Sequence, residues 1–326
     1  MKSGKCRLSW PLPKIKSNQK YFIMTKTLTL LCFFALAVSY KGAAQIVDKK
    51  NLVAKKATLQ KVSGDFEFTE GPAIHRTGDV YFTDQPNNRI IKWSFETGET
   101  SVFMEDAGRA NGMFFDRKGN LIAAADMENQ LWSIDEKGNK TVLIESFKGQ
   151  KLNGPNDLWI APNQGIYLTD PLYKRDYWTR DPEMKQDGEH LYYLSPDRVR
   201  FFRVDEKLVK PNGIIGTPDG KKLYVADIGD NKTYVYEIEE DGYLKNRQLF
   251  VEMGSDGMTI DNRGNVYLTG KKGVTVFNSK GEQIAHIPVE EEWTANVAFG
   301  GPLRRTLFIT AMGSIYTLDM KVRGTH

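Results

Sequence analysis

The sequence predicts an all-β chain folded as a six-bladed β-propeller, with the outer strand of the last blade supplied by the N-terminal segment. Three observations lead there. A short apolar strand, a turn of Gly-Asn or Asp-Gly type and a second strand ending in a polar residue recur along most of the chain, the signature of an array of short antiparallel strands. The unit repeats every roughly 40–50 residues with room for four strands, the spacing of propeller blades. The sixth unit runs out of chain after about three strands, while Ala57–Val62, ahead of the first unit, is a strand-like segment without a partner.

The elements follow in order. Blade one spans Gly71–Glu105, with strands at Pro72–His75, Asp79–Thr83, Arg89–Ser94 and Thr100–Met104. Blade two opens at Asn111 and contains Asn120–Ala124 and Gln130–Ile134. Blade three opens at Asn156, with Gly165–Thr169 and His190–Leu194 separated by an insertion, Pro171–Glu189, rich in charge and aromatics. Blades four, five and six open at Asn212, Asp256 and near Asn296. Pairing Ala57–Val62 with blade six closes the ring without an open seam. Two separate all-β domains would need a linker, and the repeat continues without one.

Residues 1–44 read differently from 45–326. They carry eight of the 45 Lys and Arg and no acid; the other 37 bases face 41 acids, a net charge of −4 for the propeller segment. From Met24 the order is Lys26, an apolar run Leu28–Val38, then Gly42-Ala43-Ala44. That is the layout of a secretory signal with a start at Met24 and cleavage near Ala44. The run is shorter than a membrane-spanning helix needs. The expectation is an exported protein, periplasmic or secreted, with no stable membrane span after cleavage. No basic run or nucleic-acid motif marks the propeller segment, so nucleic acid is not an expected partner. Both cysteines, Cys6 and Cys32, lie in the leader, which leaves residues 45–326 without a disulfide, a thiolate nucleophile or a cysteine-ligated zinc site. The composition does not fix an oligomeric state.

Propeller geometry selects candidate residues before any motif does. The inner strand of each blade begins at one mouth of the channel, and the antiparallel second strand ends there. The positions leading into the inner strands are Glu70, Asn111, Asn156, Asn212, Asp256 and Asn296, all acids or amides. The positions trailing the second strands include Asp84, Asp126, Asp170 and Asp227. Each alone is an ordinary turn residue. Together their oxygens describe a site for a hard divalent cation, and a cation relieves the repulsion among carboxylates in one cavity. Of the histidines, His75 and His190 fall in strands, His326 is terminal, and neither these nor His286 falls at a predicted channel position, so no His-based triad is expected.

The motifs resemble one family. Phe68-Thr-Glu70-Gly-Pro72, Gly78-Asp-Val-Tyr-Phe-Thr-Asp84, Arg109-Ala-Asn111-Gly112 and Asn153-Gly-Pro-Asn156-Asp157-Leu158 are similar to segments of the gluconolactonase/regucalcin (senescence marker protein) family. So are Pro211-Asn-Gly213, Pro218–Asp227, Asp256-Gly-Met258 and Asn296–Gly301, in order over nearly all of residues 65–320. The resemblance implies one catalytic divalent metal, calcium first, with zinc, manganese or magnesium as alternatives. It implies Glu70, Asn156 and Asp227 as metal ligands, Asp227 also as general base, and Arg109, Asn111, Asp126 and Asn212 as substrate-binding residues. Asn212 lies beside the metal position and is also a candidate to hold the metal or its water. The stretch Asp126-Met127-Glu128 departs from the pattern and leaves open which acid lines the pocket.

The implied function is metal-dependent hydrolysis of a small ester or lactone, an aldonolactone first. The metal polarises the carbonyl and acidifies water, and Asp227 takes the proton. Tyr173 and Trp178 in the insertion are candidates for a lid, Tyr177 lies between them, and plain loop packing is the alternative for all three. The rival readings are another propeller esterase or phosphotriesterase, a strictosidine-synthase-like enzyme, or a ligand-binding propeller without catalysis.

Overall fold

A computed structural model of the chain describes residues 45–326. The expected signal segment, its start at Met24, its cleavage near Ala44 and both cysteines lie outside the described residues. The regular structure of the described residues is almost entirely strand, arranged as six antiparallel sheets in a ring. The inner strands are Thr69–Ile74, Met113–Phe115, Leu158–Ile160, Pro211–Gly216, Met258–Ile260 and Thr294–Gly300. Each lies against the next, and the last packs on the first. Blades one to five run outward from the axis in chain order. Among the described residues no helix is long and apolar enough to cross a membrane.

The ring closes as expected, with a small shift. Gln60–Ser63, rather than Ala57–Val62, forms the outer strand of blade six, placing Gln60 opposite Thr317 and Lys61 opposite Tyr316. The strand starts later because a turn, with the Ala57 amide donating to the Ala54 carbonyl at 3.1 Å, occupies its predicted start. A second closure was not foreseen. Val47–Asp48 adds a fifth strand to blade five, opposite His286 and Ala285. Two residues are too few to carry a periodic signal. The Asp48 carboxylate accepts the amides of Leu52 and Val53 at 3.0 and 2.9 Å and turns the chain toward blade six.

The outer strand is the most exposed in every blade. The second strand of blade two, Leu121–Ala125, is buried throughout, whereas its outer strand, Lys140–Ile144, is mostly exposed at its first three residues. Inner strands covered on both faces read as continuous apolar runs, and outer strands alternate. The core fills the wedges between blades. Trp159, Tyr167, Tyr193 and Tyr224 pack where blade three meets blade four, and Tyr267, Phe299 and Leu307 pack where blade five meets blade six.

Irregularities on the inner strands position the site. Register shifts interrupt pairing between Glu70 and Ala73, between Pro211 and Ile214, and between Thr294 and Asn296. A bulge re-aims the side chain it carries, and these bulges bracket Glu70, Asn212 and Asn296. Buried threonines hold the irregular backbone. The Thr269 hydroxyl takes the Gly257 amide at 2.9 Å and Thr310 takes the Asn296 amide at 3.0 Å. The Thr83 hydroxyl donates to the Asn111 carbonyl at 3.4 Å.

Candidate functional site

The leading residues of neighbouring blades meet around the axis, and glycine makes the approach feasible. Gly71 has φ +52°, and a Cβ there would stand 2.0 Å from the Asn111 carbonyl oxygen. A Cβ on Gly112 would lie 2.3 Å from Asp157 Oδ1, and one on Gly257 would lie 2.0 Å from Asn296 Oδ1. Hydrogen bonds tie the same neighbours together. Asn296 Nδ2 donates to Glu70 Oε2 at 3.0 Å, joining blade six to blade one. The Gly112 amide donates to the Asn156 carbonyl at 2.6 Å, joining blade two to blade three. Asn212 Nδ2 donates to Asp256 Oδ1 at 2.8 Å, joining blade four to blade five.

Electrostatically the ring is short of positive charge. Burial pushes the Glu70 carboxyl well above the usual carboxylate range, and the nearby Asp256 and Asp157 carboxylates push it further. Asp256 is raised as well, by burial first, although it keeps some exposed surface at the mouth. Burial lifts Asp157 to about 7, against the pull of the Leu158 and Ile214 amides it accepts. Among the described residues no three His, Cys, Asp or Glu side chains gather as a metal site, so any cation here needs an amide ligand. Asn212 Oδ1 meets that need: it is buried without a hydrogen-bond partner among the described residues. Carboxylates of Glu70 and Asp256 with the Asn212 amide oxygen form a hard-oxygen set that fits a divalent ion.

The expected ligand set is therefore only partly brought together. Glu70 stands in the ring. Asn156 is buried at its expected place, with its backbone held between Thr169 and Gly112. Asp227, the expected ligand and general base, has both carboxylate oxygens toward backbone, Oδ2 accepting the Val209 amide and Oδ1 the Lys210 amide, each at 2.8 Å. These backbone bonds hold the loop that leads into the inner strand of blade four. Asp170 does the same for the Asn153 and Gly154 amides at 3.0 and 2.9 Å. Asp84 takes the Glu67 amide at 3.1 Å and Arg89 Nη2 at 2.8 Å. These three trailing acids are structural staples.

Asp126 is the exception among the trailing positions. It sits on a single 3₁₀ turn, buried, and accepts Arg180 Nη2 at 3.2 Å and Gln85 Nε2 at 3.4 Å. Burial raises its carboxyl to about 6 in spite of Arg175 and Arg180. Glu128 is exposed, so Asp126 is the acid that faces inward. Arg109 lies above the ring, its guanidinium 4.4 Å from the Tyr177 ring centroid and bonded to the Pro86 carbonyl. Asn111 is buried in the ring, its carbonyl against Gly71.

The insertion roofs this mouth. The Tyr173 hydroxyl receives Asn212 Nδ2 at 2.8 Å, and the Tyr177 hydroxyl donates to Gln85 Oε1 at 3.0 Å. Trp178 stacks under Arg180 at 3.6 Å. From the neighbouring loop of blade six, Trp293 Nε1 donates to Asp256 Oδ2 at 2.5 Å, a contact that sequence reading missed because Trp293 precedes its strand. On the opposite side of the ring lies a cavity of about 270 Å³ with mixed walls, apolar at Met113, Leu158, Ile214 and Met258 and polar at Arg76, Asp157 and Arg304. His326 borders it, with Nε2 3.0 Å from the Gly216 carbonyl and its ring against Phe114 and Trp159. One histidine thus reaches the channel after all, at the end away from the carboxylates.

Comparisons with known proteins agree with this architecture. A gluconolactonase from Zymomonas mobilis is 26% identical over 294 residues, covering 82% of each chain. The solved structure of a gluconolactonase from Xanthomonas campestris superposes with a TM-score of 0.76 at 25% identity, covering 86% of this chain and 99% of that one. A regucalcin from Agrobacterium tumefaciens, described as calcium-binding, shares the fold with a TM-score of 0.69 at 18% identity, covering 82% of this chain and 95% of that one. The profile of the SMP-30/gluconolactonase/LRE-like region matches residues 68–313, and the chain, with its ring of acids and amides at one mouth of a propeller, belongs to that family.

Proposed function

We propose that this protein hydrolyses a sugar-type lactone at the roofed mouth, using a divalent cation held by Glu70, Asn212 and Asp256. The observation that carries the reading is the unpartnered Asn212 amide oxygen beside the Asp256 carboxylate, within a ring that also holds the buried Glu70. The gluconolactonase relatives support lactones as the substrate class. The calcium-binding description of the Agrobacterium tumefaciens regucalcin makes calcium the first ion to test, followed by zinc, manganese and magnesium.

Bound there, a divalent cation would polarise the lactone carbonyl and make water a better nucleophile at neutral pH. The chain's own residues supply the remaining steps. Asp256, held by Trp293 and Asn212, accepts the proton of the attacking water. Water adds to the carbonyl carbon, the ring C–O bond breaks, and Asp256 returns the proton to the departing ring oxygen. Tyr173, over Asn212, covers the reacting carbonyl and limits water access. Asn111 and Asn156 face ring hydroxyls, and Asp126 with Arg109 borders the far end of the substrate.

The test is a pH-indicator assay with aldonolactones on purified protein stripped with a chelator and then supplied with each ion. Turnover that disappears on stripping and returns with a divalent ion supports the reading. Full lactone turnover after stripping, with metal analysis reading zero, would remove the cation from it. Turnover of aryl esters or phosphotriesters with lactones untouched would favour a different propeller hydrolase.

A further inference from the structure

The cations of the roof are not all paired. Arg180 is matched by Asp126 at 3.2 Å, and Lys210 by Glu189 at 3.7 Å. Arg175 and Arg109 form no ion pair with any described residue, although Glu67 lies near Tyr177 beneath Arg109. Arg109 at least bonds backbone carbonyls, whereas Arg175 has a buried Nε with no hydrogen-bond partner among the described residues.

Arg175 is also the better placed of the two. Its guanidinium carbon lies 5.1 Å from the centroid of the Tyr173 ring, whose hydroxyl touches Asn212. Its charge is felt at Asp256 on blade five and at Asp126 on blade two, across the mouth from each other. One account makes Arg175 a counter-charge for the carboxylates below. A divalent ion on Glu70 and Asp256 would neutralise those carboxylates itself. Arg175 is then left as a half-buried cation without an ion-pair partner, on the segment that reaches Asn212 through Tyr173. An unpaired guanidinium in such a place is a binding site for a planar anion, which it engages through two parallel N–H donors.

We propose that the site takes a lactone carrying a second, carboxylate group remote from the ester, which Arg175 binds from the roof while the lactone carbonyl lies at Glu70, Asn212 and Asp256. This rests on the lactonase reading and names its substrate class. The second carboxylate does not react; hydrolysis of the ring ester yields a hydroxy diacid. Tyr173 and Arg175 lie two residues apart on the roof, so the segment that covers the carbonyl also carries the group that selects the substrate.

The test compares galactaro-1,4-lactone with galactono-1,4-lactone, which share ring and stereochemistry and differ in one terminal carboxylate. The ion-loaded wild-type protein is expected to favour the carboxylated lactone in kcat/KM by about tenfold to a hundredfold, the range of a charge-assisted hydrogen bond. Added salt should shrink the ratio. Arg175→Gln should lower that ratio at least about tenfold, mainly through KM, and Arg175→Lys should restore part of it. Because Arg175 is half-buried and unpartnered, the variants should melt with wild type, which a thermal scan checks. Equal rates on the two lactones, or a ratio that survives Arg175→Gln, overturns the inference while leaving the lactonase reading in place. A wild-type protein that opens neither lactone, nor any neutral aldonolactone, overturns the lactonase reading first and this inference with it.

Discussion

Asn212 donates its amide nitrogen to Asp256 at 2.8 Å and keeps its amide oxygen, buried and unpartnered, in the ring that holds Glu70. An orphaned buried oxygen costs about 1–3 kcal/mol, and a cation at that oxygen recovers it. The two aspartates of this neighbourhood then have opposite roles. Asp256→Asn should lower kcat by about a thousandfold or more with little change in melting temperature, since general-base and ligand functions are lost together. Asp227→Asn should do the reverse. It disturbs two amide hydrogen bonds at a buried site, so it should cost about 1–3 kcal/mol of stability while the folded fraction keeps its kcat. Activity per folded molecule, measured on both variants below their melting transitions, separates the roles. Loss of turnover in a fully folded Asp227→Asn would return the base to that position.

The pH dependence of the metal-free protein follows from the buried carboxyls. Asp126 and Asp157 are raised to about 6 and about 7, and Glu70 and Asp256 are raised as well. A carboxyl whose folded pKa exceeds its unfolded value holds more protons in the folded state, so stability falls as pH rises from the unfolded value through the folded one. Chelated protein should therefore lose stability between about pH 4 and pH 7. A divalent ion needs Glu70 and Asp256 deprotonated, so its binding strengthens with pH and releases protons. The gap in melting temperature between ion-loaded and chelated protein should widen from pH 5 to pH 8. At a hundredfold excess over Kd the ion contributes about 2.7 kcal/mol, or roughly 4–5 °C for a domain of this size. A gap that narrows with rising pH would mean that these carboxyls do not bind it.

The sequence made the ring legible and left the choice within it obscure. All six leading positions are acids or amides just ahead of an apolar strand, and those two facts suffice to place them around one mouth. Asp227 and Asp256 look alike at that level. What separates them is that the Val209 and Lys210 amides point at Asp227, a matter of backbone conformation that residue types do not encode. One local signal did distinguish them. Glu70, Asn111, Asn212 and Asp256 are each followed by glycine, and at Gly71 and Gly257 the missing side chain admits the neighbouring blade; Asp227 is followed by isoleucine. Arg175 and Arg180 were not legible, because Pro171–Glu189 has no repeat to align it to.

Those glycines yield a prediction of their own. Gly257→Ala would drive a Cβ to within 2.0 Å of the Asn296 side chain, which donates to Glu70. Asn296 must then swing away and release the carboxylate. The expected result is a modest loss of stability, about 1–3 kcal/mol as for overpacked cores, together with weaker ion binding. Calorimetric titration of the chelated variant with calcium and with manganese checks this. Gly71→Ala should be worse, because it combines φ +52° with backbone 2.0 Å away that cannot move aside. Wild-type ion affinity in a folded Gly257→Ala variant would mean that the contact between Asn296 and Glu70 does not support the site.

Ring closure can be tested apart from catalysis. Gln60–Ser63 completes blade six, and Val47–Asp48 caps blade five. Blade six carries Asn296 and Trp293, which hold Glu70 and Asp256. Removing residues 1–64 exposes the edge of Ser314–Asp319 and takes away Leu52, uncovering the apolar surface of blades five and six against which it is buried. Proline at Lys61 is a milder probe: opposite Tyr316 it removes a donor and restricts the backbone in a paired strand. Lys61→Pro should lower the melting temperature by several degrees and raise hydrogen exchange first in blade six, while exchange in blades two to four stays protected. Since blade six holds Glu70 through Asn296 and Asp256 through Trp293, ion affinity should fall with that local opening before the protein unfolds as a whole. If exchange rises uniformly around the ring, closure instead stabilises all blades as one cooperative unit, and the two properties should fail at the same temperature.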